Sequence, residues 1–192
     1  MAGRTLGRLK PMTRCIVVSG LPCTGKSTLA RTLAPRLCLT LLAKDAYKEQ
    51  LFERFGVGDR RWSARVSVLA WDFLFAQAAR LLVRGTGCIL EGNFRAPQAE
   101  VLAALAAAGG VGFTEVRCLA RPEVLIARYR ARALDGSRHP GHVDLEALPE
   151  LARELSRPPA AVLRQGPALD CDTSEGLDVE EIAARLGATG GS

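Results

Sequence analysis

A three-layer α/β/α fold built on a five-stranded parallel sheet is predicted by three observations. Short apolar or β-branched runs alternate with longer segments of helical period along most of the chain. The first run, CIVVSG at Cys15 to Gly20, leads through a glycine-containing turn into a helical pattern. The 192 residues, 48% of them hydrophobic, suffice for one full core, and no internal repeat or change of composition divides them.

The elements follow in order. After the first strand, Lys26 to Leu37 reads as a helix and Thr40 to Ala43 as a short strand ending at Lys44-Asp45. Asp45 to Phe55 is helical, with Tyr47, Leu51 and Phe55 at four-residue steps. The break GVGDR precedes a long helix, Trp62 to Val83, whose expected apolar face is Val66, Leu69, Phe73, Leu74, Ala78 and Leu81. A strand at Cys88 to Phe94 follows, then an alanine-rich helix from Pro97 to Ala108 closed by Gly109-Gly110. Thr114 to Ala120 is a strand, and Arg121 to Ala133 a helix with Pro122 in its first turn. DGSRHPGHVD is a loop, Leu145 to Leu155 a helix, Ala168 to Thr173 the last strand and Val179 to Leu186 the last helix. These give a single domain over 13–187 with a helical lid at about 121–145. A disordered leader is expected at 1–12 and a loose tail at 188–192.

Net charge is +6 and uneven: residues 1–96 carry 16 Lys and Arg against 6 Asp and Glu, and 97–192 carry 10 against 14. No aromatic-interleaved basic stripe accompanies the excess, so a nucleic-acid partner is not favoured. No apolar run approaches the roughly 20 residues of a membrane span, and the basic start has no signal-peptide core. The six cysteines form no C-x-x-C pair and no metal spacing with His139 or His142, as in a reduced cytoplasmic protein. Cys23 differs, because a helix N-terminus beside it can lower a thiol pKa, yet a small loop residue without redox duty is the expected account.

The chemistry concentrates in GLPCTGKST, Gly20 to Thr28. Gly20, Gly25, Lys26 and Ser27 fit G-x-x-x-x-G-K-[ST] in the required strand–loop–helix context. Backbone N–H groups of Gly20, Leu21, Pro22, Cys23, Thr24, Gly25, Lys26, Ser27 and Thr28, Pro22 excepted for its missing N–H, would enclose a phosphate chain at a helix N-terminus. Lys26 would reach the β- and γ-phosphates, and Ser27 would ligate Mg²⁺. In a parallel sheet ligands bind at the carboxyl ends of the strands, where Asp45, Glu91 and Asn93 stand. Asp45 is read as a general base for an attacking hydroxyl, with a helix N-cap as the competing role. Lys48, on the same helix face, would hold an anionic acceptor or orient Asp45. Arg128 and Arg132, four apart, share a face that could close on ATP, whereas Arg130 points elsewhere. Arg138 and His139 lie in the loop beyond, where substrate contacts are common.

The succession GLPCTGKST, LLAKDAYKEQLF, ILEGNF and a helix carrying Arg128 and Arg132 resembles the small P-loop kinases. Within these it is most similar to the ATP-binding predicted-kinase group related to polynucleotide kinase, zeta toxin and chloramphenicol phosphotransferase, over roughly 13–187. The resemblance implies a P-loop NTPase-type, nucleoside-monophosphate-kinase-like fold with ATP and Mg²⁺ as cofactors and a small-molecule hydroxyl as acceptor. It makes Asp45 the base and Arg132 a catalytic lid residue. Two positions depart from the pattern. Polynucleotide kinases place an arginine where Lys48 stands, and the usual aspartate for indirect Mg²⁺ contact has no match, Glu91 being nearest. Two other functions compete: a regulatory ATPase in which Asp45 only caps its helix, and a 5′-hydroxyl polynucleotide kinase.

Overall fold

The computed structural model describes residues 13–155, 162–163 and 166–189. The expected leader at 1–12 and the last three residues of the expected tail lie outside these. Strands β1 (Cys15–Ser19), β2 (Thr40–Ala43), β3 (Cys88–Gly92), β4 (Phe113–Leu119) and β5 (Ala168–Asp172) form one parallel sheet in the order β2-β3-β1-β4-β5. All five residues of β1 and of β3 are buried, which is why CIVV and CIL run apolar without alternation before the polar Ser19 and Glu91 at the strand ends. The register sets Ser19 opposite Gly92 and Ala43 opposite Glu91. The phosphate loop, Asp45 and Glu91 thus leave the sheet at one edge.

Helices cover both faces. On one, α1 (Lys26–Arg36) and α7 (Val179–Thr189) bring Leu29, Leu33, Ile182 and Leu186 onto Ile16, Val18, Ile89 and Val116. On the other, α3 (Arg60–Val83) and α4 (Ala96–Gly109) pack Leu74, Ala78, Leu82 and Leu102 onto Val17, Leu90 and Phe113. α2 (Lys44–Phe55) lies against α3, while α5 (Pro122–Leu134) and α6 (Asp144–Leu155) flank a 3-10 turn at Pro140–His142. α7 runs to Thr189, so the residues at 188 and 189 expected to be loose are helical.

Three sequence readings are corrected here. The buried line of α3 is Ser63, Val66, Ala70, Leu74, Ala78 and Leu82. Leu69 and Phe73, expected on the core face, are 46% and 49% exposed. The sheet takes a narrow stripe in near i,i+4 steps, with alanines where the backbones approach, and side chains one position before the stripe rotate out of it. α3 begins at Arg60 rather than Trp62 because Asp59 caps it, accepting from Trp62 N at 2.8 Å. Finally, α3 is long and apolar enough to cross a membrane by length and composition, against the expectation of no such run. Its inner stripe is spent on the sheet, and Asp72 and Arg80 are exposed on its outer side.

Candidate active site

The loop between β1 and α1 has the backbone its glycines require. Gly25 sits at φ 78° as the N-cap of α1. Gly20 has φ 149°, and a Cβ there would come within 2.6 Å of the Cys118 carbonyl oxygen. Cys23 takes φ 67° without being glycine. Burial raises its thiol pKa, with Arg132 and Lys26 opposing, as suits a small loop residue rather than a reactive thiol. Thr24 is buried, its hydroxyl donating to Leu21 O at 2.8 Å. Pro22, Cys23, Gly25, Lys26, Ser27 and Thr28 line a cleft of about 650 Å³. Gly20, Leu21 and Thr24 serve behind it, as backbone and turn.

Lys26 is 9% exposed. Its ammonium donates to Leu21 O at 3.4 Å and lies 3.9 Å from Glu91 Oε1. Ser27 Oγ donates to the same Glu91 oxygen at 3.2 Å. Glu91 is 3% exposed and stands beside Lys26 and Ser27 of the phosphate loop. Burial raises its pKa, opposed chiefly by Lys26. A hydroxyl and a carboxylate at this spacing are hard oxygen donors that fit Mg²⁺, which takes few protein ligands and draws the rest from phosphate and water.

Asp45 is the second residue of α2, whose N-cap is Ala43 with no side-chain cap. The capping role is therefore removed: the helix starts one residue earlier than the sequence suggested, and Asp45 is left free to point into the cleft. Lys44 Nζ lies 3.1 Å from Asp45 Oδ1, and Arg138 Nη2 2.7 Å from Oδ2. Burial alone would push its carboxyl pKa up, but Lys44, Arg138, His142 and Lys26 together hold it well below the usual range.

Helix α5 supplies the other wall. Arg128 donates to Thr173 O at 2.7 Å, to Thr173 Oγ1 at 3.2 Å and to Cys23 O at 3.4 Å, while Thr173 Oγ1 donates to Thr24 O at 2.9 Å. One arginine thus ties α5, the end of β5 and the phosphate loop together. Arg132 lies 3.0 Å from Asp144 Oδ2 and 5.2 Å over the Tyr129 ring. Both arginines line the cleft, and Arg130 is exposed. Arg132 Nε and Nη2, Arg138 Nε and Asp144 Oδ2 are buried without a well-formed hydrogen bond. Arg132 Nε is a buried donor of the kind an anionic ligand satisfies, whereas Arg132 Nη2 and Arg138 Nε face the acceptor Asp144 Oδ2 as ion pairs.

His139 does not reach the cleft. It stacks on Phe52 at 5.3 Å and pairs with Glu53 at 3.1 Å, because the tight turn at Pro140–His142 sends it to the outer side. His142 takes the inner position, 2.8 Å from Glu49 and 3.1 Å from Arg138. Burial lowers its pKa to about 3. Because the unfolded value is near 6.5, the unfolded chain binds the proton that the folded one refuses between those pH values. Stability is therefore expected to fall as pH falls from about 6.5 toward about 3. In thermal unfolding between pH 7 and 4, His142→Gln should flatten that decline; an identical slope in the variant contradicts the assignment.

Asn93 and Lys48 line the cleft, as does Trp71, alone of the four aromatic residues on α3. Trp62 instead bonds to Gly56 O through its indole at 2.9 Å. The sequence reading missed Lys44, Asp144 and the ion pairs that hold α6 over the cleft. Arg60 Nε donates to Glu150 at 2.9 Å, and Arg95 lies 3.7 Å from Glu154. Lys44 was legible as the neighbour of Asp45. The pairs across α3, α4 and α6 leave no local signal.

Known proteins share this fold. Uncharacterized proteins of Mycobacterium bovis and Mycobacterium tuberculosis are 34% identical over 128 residues, 62% of this chain, which spans only 26% of their length. A solved protein from Chloroflexus aurantiacus, described as a candidate kinase, is 36% identical with TM-score 0.80, covering 92% of this chain and 98% of its own. The APS kinase of Mycobacterium tuberculosis, solved with AMPPNP and APS, shares the fold at TM-score 0.55 and 17% identity, covering 93% and 97%. The AAA domain family model matches residues 15–158, and the chain belongs to that P-loop family.

Proposed function

We propose that this protein transfers the γ-phosphate of ATP to a hydroxyl of a small molecule, with Asp45 accepting the hydroxyl proton. The observation that carries this reading is the position of Asp45: an ionised carboxylate fixed by Lys44 and Arg138 in the same cleft as Lys26 and Ser27. As the acceptor oxygen forms its bond to γ-phosphorus, its proton passes to Asp45, and the bond between γ-phosphorus and the bridging oxygen breaks with its electron pair leaving on ADP. In a loose transition state the proton departs late, so a carboxylate of low basicity serves. Lys26 and Arg132 oppose the charge that spreads over the phosphoryl oxygens. Mg²⁺ bound with ATP at Ser27 and Glu91 would neutralise the β- and γ-oxygens. The buried, unbridged cysteines accord with a reducing compartment such as the cytoplasm.

ATP consumption with hydroxylated metabolites tests the reading, and the lid offers an internal control. Arg132→Ala should lower kcat on the order of 10²-fold with little change in nucleotide affinity, because its charge counts most in the transition state. Arg130→Ala, on the exposed face, should leave both unchanged. Equal losses in the two variants would make the effect a general one of charge or stability.

A further inference from the structure

Lys48 carries a charge that the cleft leaves unbalanced. It is 4% exposed, yet its ammonium donates only to the neutral Ser63 hydroxyl, at 2.8 Å, and rests 5.4 Å from the centroid of the Phe52 ring. Among the described residues no carboxylate lies within ion-pair distance of it. The charged and titratable groups around it come from three elements: Lys44, Asp45 and Glu49 on α2, Arg60 on α3, and Arg138 and His142 on the lid. Each neighbouring carboxylate already has partners. Asp45 is held by Lys44 and Arg138, Glu49 by His142 and Arg138, and Glu150 neutralises Arg60. A buried ammonium among cations is unfavourable unless something completes it. Its proton is correspondingly loosened, by burial first and then by Lys44, to a pKa of about 7.

Lys48 also lines the cleft, three residues beyond Asp45, a helical rise of about 4.5 Å. We propose that the Lys48 ammonium, held in place by the buried Ser63 hydroxyl, forms a subsite for an oxyanion on the acceptor, so that the acceptor is a small hydroxylated carboxylate or phosphate ester. This rests on the phosphotransfer reading for the word acceptor, whereas the anion site itself does not. An anion here restores charge balance and holds the proton on Lys48, so its affinity falls as pH rises above about 7.

The chain has four lysines, Lys10, Lys26, Lys44 and Lys48, so their side-chain carbon resonances can be assigned one by one. The full protein, saturated with Mg²⁺ and AMPPNP, is titrated with pH in the presence of glycerol, glycerate or glycerol 3-phosphate at matched ionic strength. Glycerate, glycerol 3-phosphate or both should raise the proton affinity of Lys48 at least tenfold over glycerol, and the larger shift says whether a carboxylate or a phosphate is preferred. The same anion should raise the melting temperature of wild type but not of Lys48→Met, a variant expected to fold because it replaces a buried charge with an apolar chain of similar length. A Lys48 titration equal in all three solutions, or equal thermal protection of Lys48→Met, overturns the subsite. Turnover read with ATP in place of AMPPNP separates the two ideas. A Lys48 shift without transfer keeps the anion site and counts against the kinase reading. Transfer to glycerol with Lys48 unmoved does the reverse.

Discussion

Lys26→Ala is expected to remove phosphate transfer, by on the order of 10³-fold or more in kcat/KM, while the sheet and both cores stay intact. The ammonium makes two long contacts within the protein, 3.4 Å to Leu21 O and 3.9 Å to Glu91. Little native energy is therefore tied up in it, and its charge is free to act on the phosphates. At 9% exposure it is held close within the loop. Its loss leaves Glu91 buried with only Ser27 as partner, so a modest lowering of the melting temperature accompanies the loss of rate. The check is kcat/KM for ATP beside thermal unfolding. Turnover near wild type in Lys26→Ala would remove the phosphate loop from the chemistry.

The second large effect is at Asp45. As a general base it should contribute about 10²- to 10⁴-fold to transfer, so Asp45→Asn should lose that much at nearly unchanged ATP affinity. Asparagine is not thermally silent here, since it leaves Lys44 and Arg138 without their carboxylate. The control is Arg138→Gln, which breaks the same 2.7 Å contact from the other side and keeps the base. If Asp45 acts only through that ion pair, both variants lose stability and activity together. If it takes the proton, Arg138→Gln retains much more turnover than Asp45→Asn at a temperature where both are folded.

Much of this site was legible in the chain because its determinants are local. The phosphate loop, its strand and its helix are contiguous, and strand alternation fixed which edge of the sheet would carry Asp45 and Glu91. The four-residue spacing of Arg128 and Arg132 was enough to set both on the cleft side of α5. What escaped depends on contacts distant in sequence. Asp144 meets Arg132 and Arg138 only after the lid folds back, and Glu150 meets Arg60 across the cleft. His139 and His142 are equally plausible in a loop written out flat, and the 3-10 turn at Pro140–His142 decides which faces inward. The face of α3 was misjudged by one position at Leu69 and Phe73, because periodicity marks an apolar side without saying how narrow a stripe the sheet accepts.

The central claim is that the γ-phosphate ends on a hydroxyl with the help of Asp45, and ³¹P NMR follows that phosphorus directly. Wild type and Asp45→Asn are given ATP, Mg²⁺ and a panel of hydroxylated carboxylates, phosphate esters and neutral polyols. A phosphate-ester resonance should grow with wild type on at least one acceptor, and its rate should fall about 10²- to 10⁴-fold in Asp45→Asn. Inorganic phosphate as the sole product, released at equal rates by both proteins, would contradict the account and make this an ATPase in which Asp45 has no part in the reaction.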